Sequence, residues 1–339
     1  MRVLGLIIAT FIFSIGQLNA GSIYNGTFVD AHSQVGNLIS NEKVSEMILK
    51  GGVDLTLLSF RPPKRQLAPG FKEIEELTEK RVRFLIPTKY AYFREDVNPE
   101  RPFRILNHII GAAKDRDIDF VGFQEVIVQH APHNHKRFTF EGMNLDLKSE
   151  KVLRMIDVIL KHNKPVILHV ELNDYEKDSD KVLQQLLELS DQYPKTNFLL
   201  IHMAQAKFSE AKLILEKTKN IHFMTSHSDN EFQRMAKRNK QRIAAGKKSS
   251  GQHGWINLFN EHNKLQTKWI KLMNKNPSRF VLALDNVWDK QWLEGYAEKV
   301  LMWRKSLASL KTDAGTLIAC GNANQYFKLN IACKRDGSD

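Results

Sequence analysis

The amino-acid sequence predicts a (β/α)8 barrel. Short apolar, strand-like runs alternate with amphipathic helical stretches eight times, in a chain of the size such a barrel needs. The strand runs are continuous in Val, Ile, Leu and Phe, as strands of a parallel sheet buried on both faces are. Five of them deliver His, Glu or Asp at or near their C-terminal ends: Phe28–His32, Asp119–Glu125, Pro165–His169, Asn197–His202 and Arg279–Asp285. In a barrel those side chains converge on one mouth. A doubly wound open sheet is the rival arrangement, but no Gly-rich phosphate loop follows the first strand, which weakens its nucleotide-binding version.

The elements follow in order. Phe28–His32 is the first strand, and Phe28-Val29-Asp30-Ala31-His32-Ser33-Gln34 turns from apolar to polar within seven residues. Asn41–Lys50 is a helix with Val44, Ile48 and Leu49 on one face, stopped by Gly51-Gly52. Val53–Phe60 is strand two. Pro62-Pro63 opens a loop, and Phe71–Lys80 is the next helix. Arg81–Pro87 is strand three, followed by a loop holding Tyr90, Tyr92 and Phe93. Pro102–Lys114 is helical, with Phe103, Leu106 and Ile110 in register.

Asp119–Val126 is strand four. It runs into Gln129-His130-Ala131-Pro132-His133-Asn134-His135, which reads as a surface turn shaped by Pro132 more readily than as a metal or substrate site. Ser149–His162 places Val152, Met155, Ile156, Ile159 and Leu160 at helical spacing. Strand five is Val166–Val170, then a helix over Ser179–Gln192. Strand six is Phe198–Ile201, then a helix over Lys207–Lys217. Strand seven is Ile221–Thr225. An extended insertion separates it from strand eight, Phe280–Leu284. The insertion holds helices near Glu231–Ala245 and Glu261–Asn274, with a Gly/Ser-rich turn between them. C-terminal helices over Lys290–Leu310 and Asp313–Leu329 close the chain.

The chain has 339 residues, 26% charged and 42% hydrophobic, an ordinary globular composition. Residues 1–20 have the layout of a secretory signal peptide: Arg2, an apolar run from Val3 to Ile15, and Leu18-Asn19-Ala20 as a cleavage point. The apolar run is shorter than the ~20 residues a membrane span needs. The expectation is cleavage after Ala20, a single domain over 21–339, no stable membrane insertion, and a periplasmic or secreted location.

An oxidising compartment permits a disulfide between Cys320 and Cys333; two buried thiols are the other reading. Asn25-Gly26-Thr27 fits a glycosylation sequon. The formal charge of +12 is concentrated in part between Arg234 and Lys248. No aromatic residue interleaves there, so a solvated basic helix is expected and nucleic acid is not. Homo-oligomerisation is left open.

A catalytic divalent cation is held by neutral imidazoles and carboxylates with a position left for water. His32, Glu125, His169, His202 and Asp285 are such groups, each on a different strand end. A lone His at a strand end is usually a hydrogen-bonded structural group; five suitable residue types on five strand ends form a pattern. Asp30 reads as a cap of the first strand, with orientation of His32 as the other reading. Arg61, His227, Trp255 and Trp288 are further pocket candidates.

Several stretches resemble the amidohydrolase superfamily, in its amidohydrolase-related branch, over most of the chain beyond the leader. Val29-Asp30-Ala31-His32 resembles the opening strand of that family, and Lys50-Gly51-Gly52-Val53-Asp54 the entry to its second strand. Gly122-Phe123-Gln124-Glu125 resembles the strand-four glutamate motif. Val166-Ile167-Leu168-His169 and Leu200-Ile201-His202-Met203 resemble the strand-five and strand-six histidines, and Phe280-Val281-Leu282-Ala283-Leu284-Asp285 the strand-eight aspartate. Ile318-Ala319-Cys320-Gly321-Asn322-Ala323 resembles the C-terminal asparagine-alanine helix.

The resemblance implies a metal-dependent hydrolase acting on a small-molecule substrate through an amide, lactone or ester bond. It implies one or two divalent ions, zinc first, held among His32, Gln34, Glu125, His169, His202 and Asp285. Asp285 would be general base then acid, and His202, where it is not a ligand, would polarise the substrate carbonyl. A decarboxylase of the same branch would use the same metal. The chain departs from the family at strand one, which carries His32-Ser33-Gln34 where the family has two histidines. Gln34 could ligate weakly, Glu125 could replace the lost ligand, or the site could have become a metal-poor, non-catalytic binding scaffold.

Overall fold

The structure, a computed structural model, describes residues 23–36, 38–61, 67–88, 100–135, 138–140, 142–174, 178–248, 251–335 and 337. The leader and the loop holding Tyr90, Tyr92 and Phe93 lie outside the described residues.

The eight parallel strands of the barrel fall in two sheets. The first four are Val29–Val35, Leu55–Phe60, Val82–Ile86 and Phe120–Phe123, hydrogen-bonded in that order. The fourth continues as Val126–Ile127 and there joins Val166–His169, Phe198–Leu200, Ile221–Met224 and Phe280–Val281. Strand four therefore changes partner across Gln124-Glu125. At the other seam, Ala31 N donates to Leu282 O (3.0 Å), Asp285 N to His32 O (2.7 Å) and Gln34 N to Asn286 O (2.7 Å), which joins the first strand to the last.

Two apolar layers explain why the strand sequences are continuous rather than alternating. Val29, Ala31, Leu55, Leu57, Leu85, Val121, Ile167, Leu199, Ile201, Met224, Val281 and Ala283 fill the barrel interior. Their neighbours, among them Phe28, Leu58, Phe60, Phe84, Leu168 and Phe223, pack outward under the helices. Ala323, Tyr326, Phe327 and Leu329 of the C-terminal segment join the inner cluster. Asn322 donates its side-chain amide to Pro277 O (2.8 Å) and Phe280 O (2.7 Å), fixing this plug beneath strand eight.

Most helices fall where their apolar periodicity puts them. Ser179–Gln192 matches to the residue, and Asn41–Gly51, Arg101–Lys114, Glu150–Leu160, Phe208–Lys217, Asn230–Ala244 and Asp289–Leu307 match within a few residues. The second helix starts at Leu67, ahead of Phe71, because Pro69 falls in the first turn, where a missing N–H costs nothing. The helix expected from Glu261 starts at Thr267. The Asn260 side chain accepts from His262 N (3.0 Å) and Lys264 N (3.1 Å), and this turn replaces the first helical turn.

The expected surface turn at 129–135 is instead paired backbone: Gln129–His130 lies antiparallel to Met143–Asn144, and His133–His135 to Phe138–Phe140. The last helix is three pieces, Thr312–Thr316, a π-helical turn over Leu317–Gly321, and Asn322–Phe327. Cys320 and Cys333 are joined by a disulfide. Among the described residues no helix is long and apolar enough to cross a membrane.

Candidate metal centre

Strand geometry carries the functional side chains to the mouth. Ile167 and Ala283 face the barrel interior. His169 and Asp285 are two residues further on, so the period of two points them inward as well. The pairing register of strand one slips between Asp30 and Ser33, a bulge centred on Ala31-His32. Asp30 spans this bulge: its carboxylate accepts from His32 N (3.3 Å), Ser33 Oγ (2.5 Å) and Leu284 N (2.9 Å). It ties strand one to strand eight, and burial, partly offset by these bonds, raises its pKa to about 6.

After strand six the backbone makes a turn of the wrong hand. His202, Met203, Ala204 and Gln205 have φ of 56°, 54°, 54° and 49°. Each such residue costs about 1–2 kcal/mol. The turn is held by Leu172 N to Ala204 O (3.0 Å), Ala206 N to Met203 O (3.0 Å) and His202 N to Ser226 Oγ (3.2 Å). His227 (φ 53°) and Asp285 (φ 46°) are also left-handed. Backbone strain of this kind gathers where side-chain placement matters more than local comfort.

His32, Gln34, Glu125, His169, His202 and Asp285 are brought together and are at most 3% exposed. Among the described residues four sets of side chains have donor atoms within 4.8 Å of one another: Glu125, His169 and His202; His32, Glu125 and Asp285; His202, His227 and Asp285; and, beside these three, His130, His169 and Glu171. The first three sets share members, so their six ligand-type residues close a ring.

Asp285 meets four other side chains of the site. Its Oδ1 meets His32 Nδ1 at 3.0 Å and accepts from Gln34 Nε2 at 2.8 Å. Its Oδ2 lies 3.5 Å from His202 Nε2 and 3.7 Å from His227 Nε2. Burial pushes this carboxyl up, but His32 and His227 outweigh it and hold it far below the usual carboxylate range. Glu125 Oε2 is 3.6 Å from His32 Nε2, and Glu125 Oε1 is 3.9 Å from His169 Nδ1.

The imidazoles are oriented from outside the ring. His169 Nε2 is 2.7 Å from Glu171 Oε1, and His202 Nδ1 is 3.0 Å from Ser226 Oγ. These outer contacts leave His169 Nδ1 and His202 Nε2 facing the carboxylates, the arrangement metal-binding histidines adopt. Burial lowers the pKa of His169, but the carboxylates of Glu125 and Glu171 outweigh it and lift it to about 9. Burial, then His227 and His169, push His202 well down, and burial takes His227 to about 4.

The ring fits a divalent ion. His169 Nδ1 is buried and makes no hydrogen bond among the described residues. Imidazole and carboxylate oxygen are the donors that zinc and neighbouring transition metals take. Two carboxylates, Glu125 and Asp285, offset a charge of two. Gln34 stands apart. An ionised carboxylate can only accept, so the amide atom facing Asp285 is the NH2 group and Gln34 acts there as a donor.

Glu171 is a residue that sequence reading passed over, although His169-Val170-Glu171 places a carboxylate two positions from a candidate ligand. Besides His169 it accepts from Ala131 N (2.6 Å) and Gln252 Nε2 (2.9 Å). Gln252 belongs to the strand seven–eight insertion and is also 3.1 Å from His130 Nε2. The His130 ring stacks on that of His169, centroids 4.9 Å apart. The side chains of His133 and His135 lie outside the described part. Trp255 packs edge-on against His202 (5.1 Å) and His227 (5.2 Å), and those two rings stack at 4.3 Å. The insertion thus roofs the ring.

No protein-family model matches the chain, and no curated protein sequence matches it. Solved structures do. One is a probable 2-pyrone-4,6-dicarboxylic acid hydrolase from Acinetobacter baumannii with citric acid bound: TM-score 0.51, 11% identity, covering 89% of this chain and 100% of that one. Another is dihydroorotase from Saccharomyces cerevisiae in complex with 5-fluoroorotic acid: TM-score 0.52, 13% identity, 91% and 85% covered. A third is a variant of organophosphorus hydrolase from Deinococcus radiodurans: TM-score 0.51, 10% identity, 89% and 92% covered. These neighbours are members of the amidohydrolase superfamily. The likeness establishes the fold, which is the one the sequence resemblance implies.

Proposed function

We propose that the protein is an exported metal-dependent hydrolase that cleaves an amide, lactone or ester bond in a small molecule. The observation that carries this reading is the closed ring of six buried ligand-type side chains at the C-terminal ends of the barrel strands, where barrel enzymes keep their chemistry. The fold neighbours are described as hydrolases and fit it. The signal-like N-terminus and the Cys320–Cys333 disulfide support export.

Glu125, His169, His202, His32 and Asp285 would hold one or two ions, and zinc suits these donors. A bound divalent ion supplies Lewis acidity and a water of lowered pKa. Asp285 takes the proton of the attacking water at Oδ2, because Oδ1 is engaged by His32 and Gln34. It then returns that proton to the leaving group. His202 Nε2 lies on the Oδ2 side and, where it is not a ligand, stabilises charge developing on the substrate carbonyl oxygen. Trp255 and the insertion exclude bulk water.

Elemental analysis of protein purified without chelator tests the reading. Near-stoichiometric divalent metal is expected, lost in the His169→Ala, Asp285→Ala double variant. A wild-type protein that takes up no divalent metal when offered it ends this reading. The donor role of Gln34 favours the second one, a metal-poor binding protein of the same fold.

A further inference from the structure

Arg61 is a cation at the mouth with no counter-ion of its own among the described residues. Leu55 and Leu57 of strand two face the barrel interior, so the period of two directs Ser59 and then Arg61 to the same side at the C-terminal end. The Arg61 backbone is fixed there by its N–H to Val35 O at 3.0 Å. The guanidinium lies over the Trp288 ring, 4.3 Å from its centroid. Trp288 follows strand eight, three residues beyond Asp285, and is 44% exposed. Arg61 is near enough to Asp285 and Glu125 for their charges to act on it. Among the described residues it makes no side-chain hydrogen bond or ion pair.

Charge bookkeeping sharpens the point. The two carboxylates whose charges reach Arg61 are those that offset a divalent ion, and Glu171 is committed to His169, Ala131 and Gln252. With the ion in place the described residues of the mouth leave one positive charge uncompensated, on a planar fork whose geometry matches a carboxylate in two parallel hydrogen bonds. The Trp288 ring restricts the guanidinium plane and lowers the cost of ordering it. A lysine-like point charge would need no such platform.

We infer that Arg61, seated on Trp288, grips a carboxylate of the substrate, so that the substrate is a small carboxylic acid bearing the hydrolysable bond. This rests on the hydrolase reading, and the test separates the two. Zinc-loaded full-length protein is titrated by calorimetry with succinate, neutral succinamide and inorganic phosphate, in wild type and in Arg61→Gln, Arg61→Lys and Trp288→Leu variants. Succinate should bind more tightly than succinamide by at least ~10-fold, and Arg61→Gln should lose ~10–100-fold of the succinate affinity while keeping its zinc. Arg61→Lys and Trp288→Leu should fall between.

Succinate affinity in Arg61→Gln within about twofold of wild type overturns the inference, as does wild-type protein that binds none of the three probes. Phosphate binding that depends on Arg61 and exceeds succinate binding overturns the carboxylate assignment. If no zinc is taken up, the hydrolase reading fails on that count alone, and titration of the metal-free variants still decides whether Arg61 binds an anion.

Discussion

Glu171 Oε1 lies 2.7 Å from His169 Nε2, within a carboxylate that also accepts from the insertion through Gln252. One buried acid therefore sets the plane of a ligand-type imidazole and anchors the segment that covers it. Glu171→Ala frees the ring to rotate and should weaken zinc affinity by ~10–100-fold. Competition with a chelating dye measures this; unchanged affinity would show that the ring is held by packing instead.

Gln34 donates to Asp285 Oδ1 in a fully buried setting. Gln34→Leu leaves that oxygen one donor short and should cost about 1–3 kcal/mol, read from urea unfolding. Gln34→His is the companion variant. On the hydrolase reading its zinc affinity stays within ~10-fold of wild type, about 1.4 kcal/mol. A larger gain would mark the native site as degenerate.

Gly254 sits where the insertion crosses the loop after strand five. A Cβ there would come 2.6 Å from Asp174 N and 2.7 Å from Asn173 C, both main-chain atoms that cannot swing aside. Asp174 Oδ1 also accepts from His253 N (2.8 Å) and Gly254 N (2.9 Å). Gly254→Ala should lift the roof and destabilise the protein by about 1–3 kcal/mol, with a shift in emission from Trp255. An unaltered melting temperature and emission spectrum would contradict the crossing.

His222, buried at the start of strand seven, is 3.1 Å from Asn197 Oδ1 and 3.1 Å from Tyr326 OH. Burial, with help from Arg279, lowers its pKa from 6.5 to about 3. Between these values the unfolded chain binds the extra proton and the fold does not, so stability falls as pH falls, by up to about 1.4 kcal/mol per pH unit. Above pH 6.5 the residue contributes no slope. His222→Gln should flatten the acid limb in urea titrations from pH 7 to 4, and a variant with the wild-type slope would count against this account.

The Cys320–Cys333 bridge closes a separation of 13 residues around the inner plug. Loop-closure entropy gives about 3 kcal/mol for such a ring. Reduction, or Cys333→Ser, should lower the melting temperature accordingly. An identical melt with and without reductant would mean that the plug is held by Tyr326 and Phe327 alone.

The sequence carried the barrel in its apolar runs because both faces of each strand are buried, so no alternation was needed to recognise them. His169 and Asp285 were legible because each ends such a run. Glu171 was not, since nothing local distinguishes a carboxylate aimed at a neighbouring imidazole from one in solvent. The donor role of Gln34 depends on Asp285, far away in the chain. The late start of the helix at Thr267 depended on the Asn260 side chain competing for backbone N–H groups. The left-handed turn at His202–Gln205 has no glycine to announce it and persists because tertiary hydrogen bonds outweigh its cost.

The seam between the first and last strands has a consequence for biosynthesis. His32 leaves the ribosome 253 residues ahead of Asp285, yet they meet at 3.0 Å. A nascent or truncated chain halted before Phe280 holds its early imidazoles but not the acid that faces them. On the hydrolase reading such a fragment cannot assemble the centre, and metal acquisition becomes a checkpoint that only chains extended beyond Asp285 pass.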